Sequence, residues 1–90
     1  MRECFVGETF VQKFKVTFDD DTGQTVDSGE FEITVNGEIT QSGILAVDTD
    51  GRTMSFRFRP TEAGIHEIKL TWRVGDDVWV QPFLMKVITA

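Results

Sequence analysis

Apolar and polar side chains alternate along most of this chain. The segment 10–18 is the clearest example, because its apolar side consists of Phe10, Phe14, Val16 and Phe18. A two-residue period is the side-chain repeat of a β-strand, and no segment has apolar residues at helical spacing. The pattern therefore predicts an all-β protein. Gln12 interrupts the apolar side of this segment, so its amide requires a hydrogen-bond partner or a position at a sheet edge.

Turn residues divide the alternating chain into seven predicted strands, lettered A to G in chain order. They cover residues 2–6, 10–18, 29–36, 44–47, 52–59, 65–74 and 78–88. Short strands at this spacing, rich in β-branched and aromatic residues, are typical of an immunoglobulin-like β-sandwich. In that topology strands A, B, E and D form one antiparallel sheet, and strands C, F and G form the other. We therefore predict a single domain that covers residues 1–90.

A polar corner at residues 60–64 separates the apolar runs of strands E and F. Pro60 lacks the N–H that a sheet needs, and Gly64 tolerates backbone angles that other residues avoid. We expect this corner to carry the chain from one sheet to the other, with Trp72 as the large core residue of strand F. His66, the only histidine, alternates with core residues. It is expected to be a buried imidazole held by a backbone hydrogen bond, and not a ligand or a base.

Composition narrows the classes of function. The formal net charge of −6 argues against nucleic acid or an anionic membrane surface as the partner. No apolar run is long enough to span a membrane, and Cys4, the single cysteine, favours a reducing compartment because it cannot form an intrachain disulfide. No glycine-rich phosphate loop and no clustered acid–base pair is evident. We therefore expect neither catalysis nor a cofactor.

Six short motifs follow one another along the chain. They are V-G-E-T (6–9), D-T-G (21–23), G-E-F-E-I-T-V-N-G (29–37), D-T-D-G-R (48–52), F-R-P-T-E-A-G-I-H-E-I (58–68) and Q-P-F-L-M-K-V (81–87). In order and spacing the chain resembles a filamin-type immunoglobulin-like repeat over almost its whole length. It departs from the family at His66, where a tyrosine is usual, and at residues 79–81, where Pro-Gly-Ser is usual. The resemblance implies a cytoplasmic, cytoskeletal rod repeat of a filamin-like actin-crosslinking scaffold, flanked by neighbouring repeats.

The resemblance also implies that partner peptides bind by strand addition at strands C and D. If both are edge strands, strand C offers unpaired N–H and C=O groups to an incoming strand. The candidate peptide-binding residues are Glu30, Glu32, Thr34, Asn36, Ile44 and Ala46. The two glutamates favour an extended peptide that carries lysine or arginine. Charged residues also protect edge strands from pairing, so a rod repeat with a protected edge is the alternative.

Aspartates are concentrated in the predicted B–C, D–E and F–G loops, which meet at one end of such a sandwich. An acidic end of this kind could bind a divalent cation, with candidate ligands Asp20, Asp48, Asp50 and Asp77. Aspartate also favours turns because its side chain accepts hydrogen bonds from nearby backbone N–H groups. The D-T-D-G segment lacks the rest of a calcium-binding loop, so we expect no bound metal.

Two other functions remain open at this stage. One is the lone filamin-like repeat of a tripartite-motif protein. The other is an extracellular accessory module that binds carbohydrate or protein, which requires an exposed aromatic platform. Trp79 is the candidate residue for such a platform or for a contact with a neighbouring domain.

Overall fold

The computed structural model describes residues 2–17 and 24–89, which form two β-sheets packed face to face. The strands of this part of the chain are β1 (Arg2–Phe5), β2 (Phe10–Lys15), β3 (Ser28–Val35), β4 (Glu38–Ile44), β5 (Ala46–Val47), β6 (Thr53–Phe58), β7 (Gly64–Val74) and β8 (Asp77–Ile88). The five-stranded sheet has the order β1-β8-β7-β3-β4, and the three-stranded sheet has the order β2-β6-β5. The prediction of an all-β, immunoglobulin-like sandwich is confirmed. None of the described residues belongs to a helix that is long and apolar enough to cross a membrane.

Strand β1 lies in a different sheet from the one predicted for strand A. It runs parallel to β8, with Arg2 opposite Met85 and Phe5 opposite Ile88, and has no pairing with β2. The predicted sheet of strands A, B, E and D is therefore wrong in its first member. The chain changes sheets only after β1, at Gly7, whose N–H donates to the carbonyl oxygen of Pro60 at 2.9 Å.

Strand β4 is absent from the predicted set. It follows a two-residue turn in which Asn36 and Gly37 both have positive φ, 52° and 81°, as a type I′ hairpin turn requires. The turn places β4 beside β3, whose other neighbour is β7. The expectation that strand C is an edge strand is therefore wrong, because both of its edges are already paired.

The predicted corner connects β6 in the three-stranded sheet to β7 in the five-stranded sheet, as expected. Pro60 is buried there, and Gly64 has a positive φ of 129°. His66 is 2% exposed, and its Nδ1 lies 3.1 Å from the carbonyl oxygen of Gly64. Because a carbonyl oxygen only accepts, this contact is a hydrogen bond when Nδ1 carries the proton. The prediction of a buried histidine held by a backbone bond is confirmed.

Phe56 of β6 lies at the centre of the core, with 1% of its surface exposed. Its ring contacts the rings of four other residues at centroid distances of 5.1 to 6.3 Å, namely Phe10, Phe31, Phe58 and Phe83. Burying one such side chain contributes about 1.5–3 kcal/mol to the free energy of folding. The core therefore draws alternate residues from both sheets, as the two-residue period predicts.

Candidate functional site

The two glutamates predicted to bind a peptide, Glu30 and Glu32, lie on the solvent face of β3 and already form ion pairs. The guanidinium of Arg73 is 3.0 Å from the Glu30 carboxylate, and the ammonium of Lys69 is 3.4 Å from the Glu32 carboxylate. These side chains are roughly half-exposed, so each ion pair contributes at most about 1 kcal/mol. Since β3 has a strand on each side, a peptide cannot pair with it while β4 is in place.

The other four predicted residues lie at different places along this side of the sandwich. Thr34 follows the register shift between β3 and β4, and Asn36 lies in the hairpin turn. Ile44, 85% exposed, ends β4, and Ala46 begins β5. Leu45 between them is buried, because the chain crosses from one sheet to the other there. The edge strands on this side are β4 and β5, so the six residues do not form the predicted groove along strand C.

The aspartate-containing loops do meet at one end of the molecule, as predicted. The N–H of Val26 donates to Gly51 O at 2.7 Å, and the N–H of Asp27 donates to Arg73 O at 2.8 Å. The Asp27 carboxylate in turn accepts from the N–H of Gly75 at 2.7 Å. Asp20, one of the candidate ligands, lies outside the described residues.

Asp50 uses its carboxylate within its own turn. It accepts hydrogen bonds from the N–H of Arg52 at 2.8 Å and from the hydroxyl and N–H of Thr53 at 2.7 and 2.9 Å. These bonds, the one from Arg52 first, lower the pKa of Asp50 from 3.8 to about 2, with a smaller contribution from the charge of Lys15. Within residues 2–17 and 24–89, no group of three or more His, Cys, Asp and Glu side chains is placed to hold a metal ion.

A second candidate binding site lies on the opposite side of the sandwich, where the edge of β8 faces the edge of β2. We call this region the seam. Strand β1 covers only residues 85–88 of β8, so the outer edge of residues 77–84 has no partner strand among the described residues. Strand β2 pairs with β6 along one edge, and no described strand pairs with its other edge. The seam thus exposes two sets of backbone hydrogen-bonding groups.

A cleft of about 270 Å³ lies between these two edges. Its lining residues come from β1, β2, β7 and β8 and are Arg2, Gln12, Phe14, Leu70, Trp72, Gln81 and Phe83. Pockets for small molecules usually have volumes of about 300–1,000 Å³. The cleft is therefore better matched to one or two side chains of an extended chain than to a large ligand.

Trp72, which lines the cleft, carries a buried polar atom without a hydrogen-bond partner among the described residues. The indole Nε1 of Trp72 is inaccessible to water and has no hydrogen-bond partner among the described residues. A buried N–H without a partner costs about 1–3 kcal/mol. The ring centroids of Trp72 and Phe14 are 6.2 Å apart. The guanidinium carbon of Arg2 lies 5.5 Å from the ring centroid of Phe83. Gln12, whose amide requires a partner or an edge, lines this cleft at the edge strand β2.

The exposed face of the three-stranded sheet is basic although the chain as a whole is acidic. Lys13 and Lys15 on β2 and Arg57 on β6 are exposed on this face, and β2, β5 and β6 contain no aspartate or glutamate. Neither Lys13 nor Arg57 forms an ion pair with any residue in the described part of the chain. The strands on the β2 side of the seam therefore carry positive charge, whereas the chain as a whole carries negative charge.

Strand β8 is apolar on both faces where it borders the seam. Val78, Val80 and Leu84 are exposed on its outer face. Trp79 is the register partner of Trp72, so it lies on the inner face, and 43% of its surface is exposed. The sequence suggests the exposure of Trp79 and the edge position of Gln12. It does not identify Arg2 or Gln81 as cleft residues, because their positions depend on where β1 pairs.

No protein-family model and no curated protein matches the chain in sequence. Among solved structures, an engineered protein is 13% identical with a TM-score of 0.74 over 96% of this chain, and a candidate glycoside hydrolase from Bacteroides vulgatus is 16% identical with a TM-score of 0.70 over 100% of it. The fibronectin(III)-like modules of Clostridium thermocellum CbhA are 18% identical with a TM-score of 0.46, over 97% of this chain and 86% of that one. The first two similarities concern the fold. This chain corresponds to 17% of each of those two proteins.

Proposed function

We propose that this chain is a non-catalytic β-sandwich module that binds an extended segment of a partner protein along the seam. One observation carries this proposal: two unpaired strand edges, of β2 and of β8, border a cleft with aromatic walls. An added strand obtains its main-chain hydrogen bonds from an edge, and its alternate side chains enter the cleft.

The same role suits a rod repeat of a filamin-like actin-crosslinking scaffold in the cytoplasm. The order of the six sequence motifs supports this assignment, and so does the elongated shape of 45 × 22 × 20 Å, which suits a spacer between neighbouring domains. The peptide-binding edge differs from the one expected for strand C, because β4 occupies the position beside β3.

A second candidate function is that of a carbohydrate-binding accessory module of a larger enzyme. The cleft favours it, because a sugar ring would stack on its aromatic side chains and form hydrogen bonds with the amides of Gln12 and Gln81. One structural neighbour is a candidate glycoside hydrolase, and this chain corresponds to 17% of it.

Amide chemical-shift mapping separates the two candidates. The ¹⁵N-labelled chain is titrated with the tightest peptide selected from a random library of about twelve residues, the length of a long added strand. It is titrated separately with cellohexaose, maltohexaose and chitohexaose. Strand addition predicts that the indole N–H resonance of Trp72 shifts and that amides of β2 or of residues 77–84 become protected from hydrogen exchange. Sugar binding predicts the Trp72 shift without new amide protection.

The β4 edge serves as the internal control for this experiment. Residues near Ile44 are exposed in an edge strand of the same sheet but lie on the opposite side of the molecule. A selected peptide that shifts only the amides of β4 and β5, or a library that yields no binder, would contradict strand addition at the seam.

A further inference from the structure

We infer that the partner segment at the seam is acidic and that it pairs with β2. This inference rests on the proposed function and specifies the chemistry of its ligand. The ligand is an extended segment in which carboxylate side chains alternate with apolar ones. Three features of the described residues lead to it: an uninterrupted backbone edge, a face whose strands carry cations and no carboxylates, and a cleft that accepts alternate side chains.

The edge of β2 is a better acceptor than the edge of β8. The carbonyl oxygen of Ile88 accepts from the N–H of Val6, which directly follows β1, so alternation directs the backbone groups of residues 78, 80, 82 and 84 toward the open edge. Pro82 has no N–H to donate there, and proline on an edge strand opposes pairing. Directly after β2, the N–H of Val16 donates to the carbonyl oxygen of Arg52, the residue before β6, at 2.8 Å, so the backbone groups of even-numbered residues in β2 point toward β6. The backbone groups of Val11, Lys13 and Lys15 therefore face the open edge without a proline among them.

The charges beside this edge select the side chains of an added strand. On each face of an antiparallel pair, directly opposed residues lie about 4.5–5.5 Å apart between Cβ atoms. The exposed face of β2 presents Val11, Lys13 and Lys15, and Arg57 follows on the next strand. Carboxylates opposite the two lysines complete cross-strand ion pairs, whereas lysines in the same positions place like charges together.

The net charge of −6 opposes an acidic partner only weakly at this distance. At physiological ionic strength the Debye length is about 8 Å, so exposed charges farther away are largely screened. The carboxylates of Glu30 and Glu32 lie on the outer face of the other sheet, with the core between them and β2. The carboxylate of Asp50 is nearer and interacts with the charge of Lys15. Lys13 and Arg57, which form no ion pair among the described residues, therefore decide the sign of the interaction at this edge.

Alternate residues of the added strand point toward the cleft. Phe14 and Gln12 are the inward residues of β2 there, and Trp72 lies across from them with its unpartnered N–H. An apolar side chain of the added strand fits against the rings of Phe14 and Trp72. The expected ligand pattern is thus acidic, apolar, acidic, apolar over about the six residues of β2.

The test compares three peptides, which have the same length and the same apolar positions, by isothermal titration calorimetry on the intact chain. They are acetyl-EVELEVE-amide, acetyl-SVSLSVS-amide and acetyl-KVKLKVK-amide. We expect the acidic peptide to bind at least about tenfold more tightly than the serine peptide, and the lysine peptide to bind most weakly. Equal binding of all three at the seam would overturn the acidic preference and leave the proposed function standing. If none of the three peptides binds, the acidic preference is overturned. The proposed function is tested separately, by the titration with the library-selected peptide.

Paired variants separate charge from backbone. Lys13→Glu should weaken the acidic peptide at least about tenfold, while Lys86→Glu, which makes the same change in net charge on the other sheet, should leave its affinity unchanged. Val11→Pro removes one open-edge N–H and should weaken binding, whereas Val11→Ala should not. Thermal unfolding of all four variants checks that each is folded.

Other polyanions provide the remaining control. Single-stranded oligothymidylate and phosphatidylserine vesicles are titrated into the chain and into Val11→Pro. If either binds as tightly as the acidic peptide and is insensitive to Val11→Pro, the basic face is a general anion-binding surface and the inference of an added acidic strand is overturned. Weaker binding of both supports it.

Discussion

At the scale of single residues, the fold changes the chemistry of Asp50. Its carboxylate accepts three hydrogen bonds from Arg52 and Thr53 and thereby closes the turn between β5 and β6. The sequence presents it as one of several aspartates near a possible cation site. The structure gives it a different role, because its oxygen atoms already accept hydrogen bonds from N–H and O–H groups of the same turn.

Replacing Asp50 with asparagine should remove a pH-dependent part of the free energy of unfolding. The pKa of Asp50 is lowered from 3.8 to about 2 in the folded chain, so folding favours the ionised carboxylate. The resulting stabilisation is fully present above about pH 4 and is lost as the pH falls through about 2. Urea unfolding between pH 2 and pH 6, followed by tryptophan fluorescence, should therefore show a steeper acid loss in the natural chain than in Asp50→Asn.

Asp76→Asn is the matched control for this measurement, since Asp76 is an exposed aspartate of another turn. It should retain the acid loss of the natural chain. Identical pH profiles for Asp50→Asn and the natural chain would contradict the role assigned to the Asp50 carboxylate.

Among the elements, β4 has the largest effect on where a partner can bind. It pairs with β3 from Glu30 to Val35 and so removes the acceptor edge expected for strand C. The signal for it is present in the sequence, since Asn36-Gly37 is the dipeptide most typical of a two-residue hairpin turn. The following segment E-I-T-Q-S-G alternates weakly, and for that reason it resembles a loop.

Gly43→Ala should weaken the docking of β4 against the core. A methyl group at Gly43 would lie 2.8 Å from two ring carbons of Phe31. That ring is held in an edge-to-face contact with Phe56 at 5.1 Å and has little room to move. We expect a loss of about 1–3 kcal/mol in the free energy of unfolding, as for other overpacked sites. Urea denaturation measures it.

Ser42→Ala provides the comparison, because Ser42 is exposed on the same strand. Its effect should stay within about 0.5 kcal/mol, as for surface substitutions in general. If Gly43→Ala unfolds at the same urea concentration as Ser42→Ala, the contact between Gly43 and Phe31 does not constrain β4.

At the scale of the whole molecule, the two sheets differ in charge and in the way their edges are closed. The five-stranded sheet carries mixed charges that pair across β3 and β7. The three-stranded sheet carries cations alone on its strands. The short strand β1 leaves most of β8 uncovered and so opens the seam on one side. Both features distinguish the seam from the opposite side, where β4 and β5 are the edge strands.

Cys4 reports whether the molecule unfolds as one unit. It is 3% exposed on β1 and packs into the core, and burial, together with the charge of Glu8, raises the pKa of its thiol. Because the thiolate is the reactive form, the native chain should react with a disulfide reagent at least about 100-fold more slowly than Ser42→Cys in a Cys4→Ser background. Its labelling should become fast only at urea concentrations at which tryptophan fluorescence reports unfolding.

Rapid labelling of Cys4 without urea would mean that β1 detaches from β8 on its own. That outcome would make β1 a removable edge strand and would extend the open edge of β8 to residue 88.

Much of the fold follows from local patterns in the sequence. The two-residue period assigns Phe56 and Ile68 to the core, and residues 60–64 change sheets because a proline and a glycine interrupt the alternation. The same alternation places His66 in the core, because it lies two residues before Ile68. These features are local, since the side-chain period and the turn residues act within a few positions of the chain.

The partners of each edge strand were decided only by the tertiary structure. The alternation of apolar and polar residues indicates which face of a strand is buried. It does not indicate which neighbouring strand forms the backbone hydrogen bonds. Strand β1 could present Cys4 to the same core from either sheet, and its pairing with β8 depends on residues more than eighty positions away. The sequence by itself therefore determined a sandwich with a mapped core. The packing of distant strands determined which edges border the seam and that Trp72 lines its cleft.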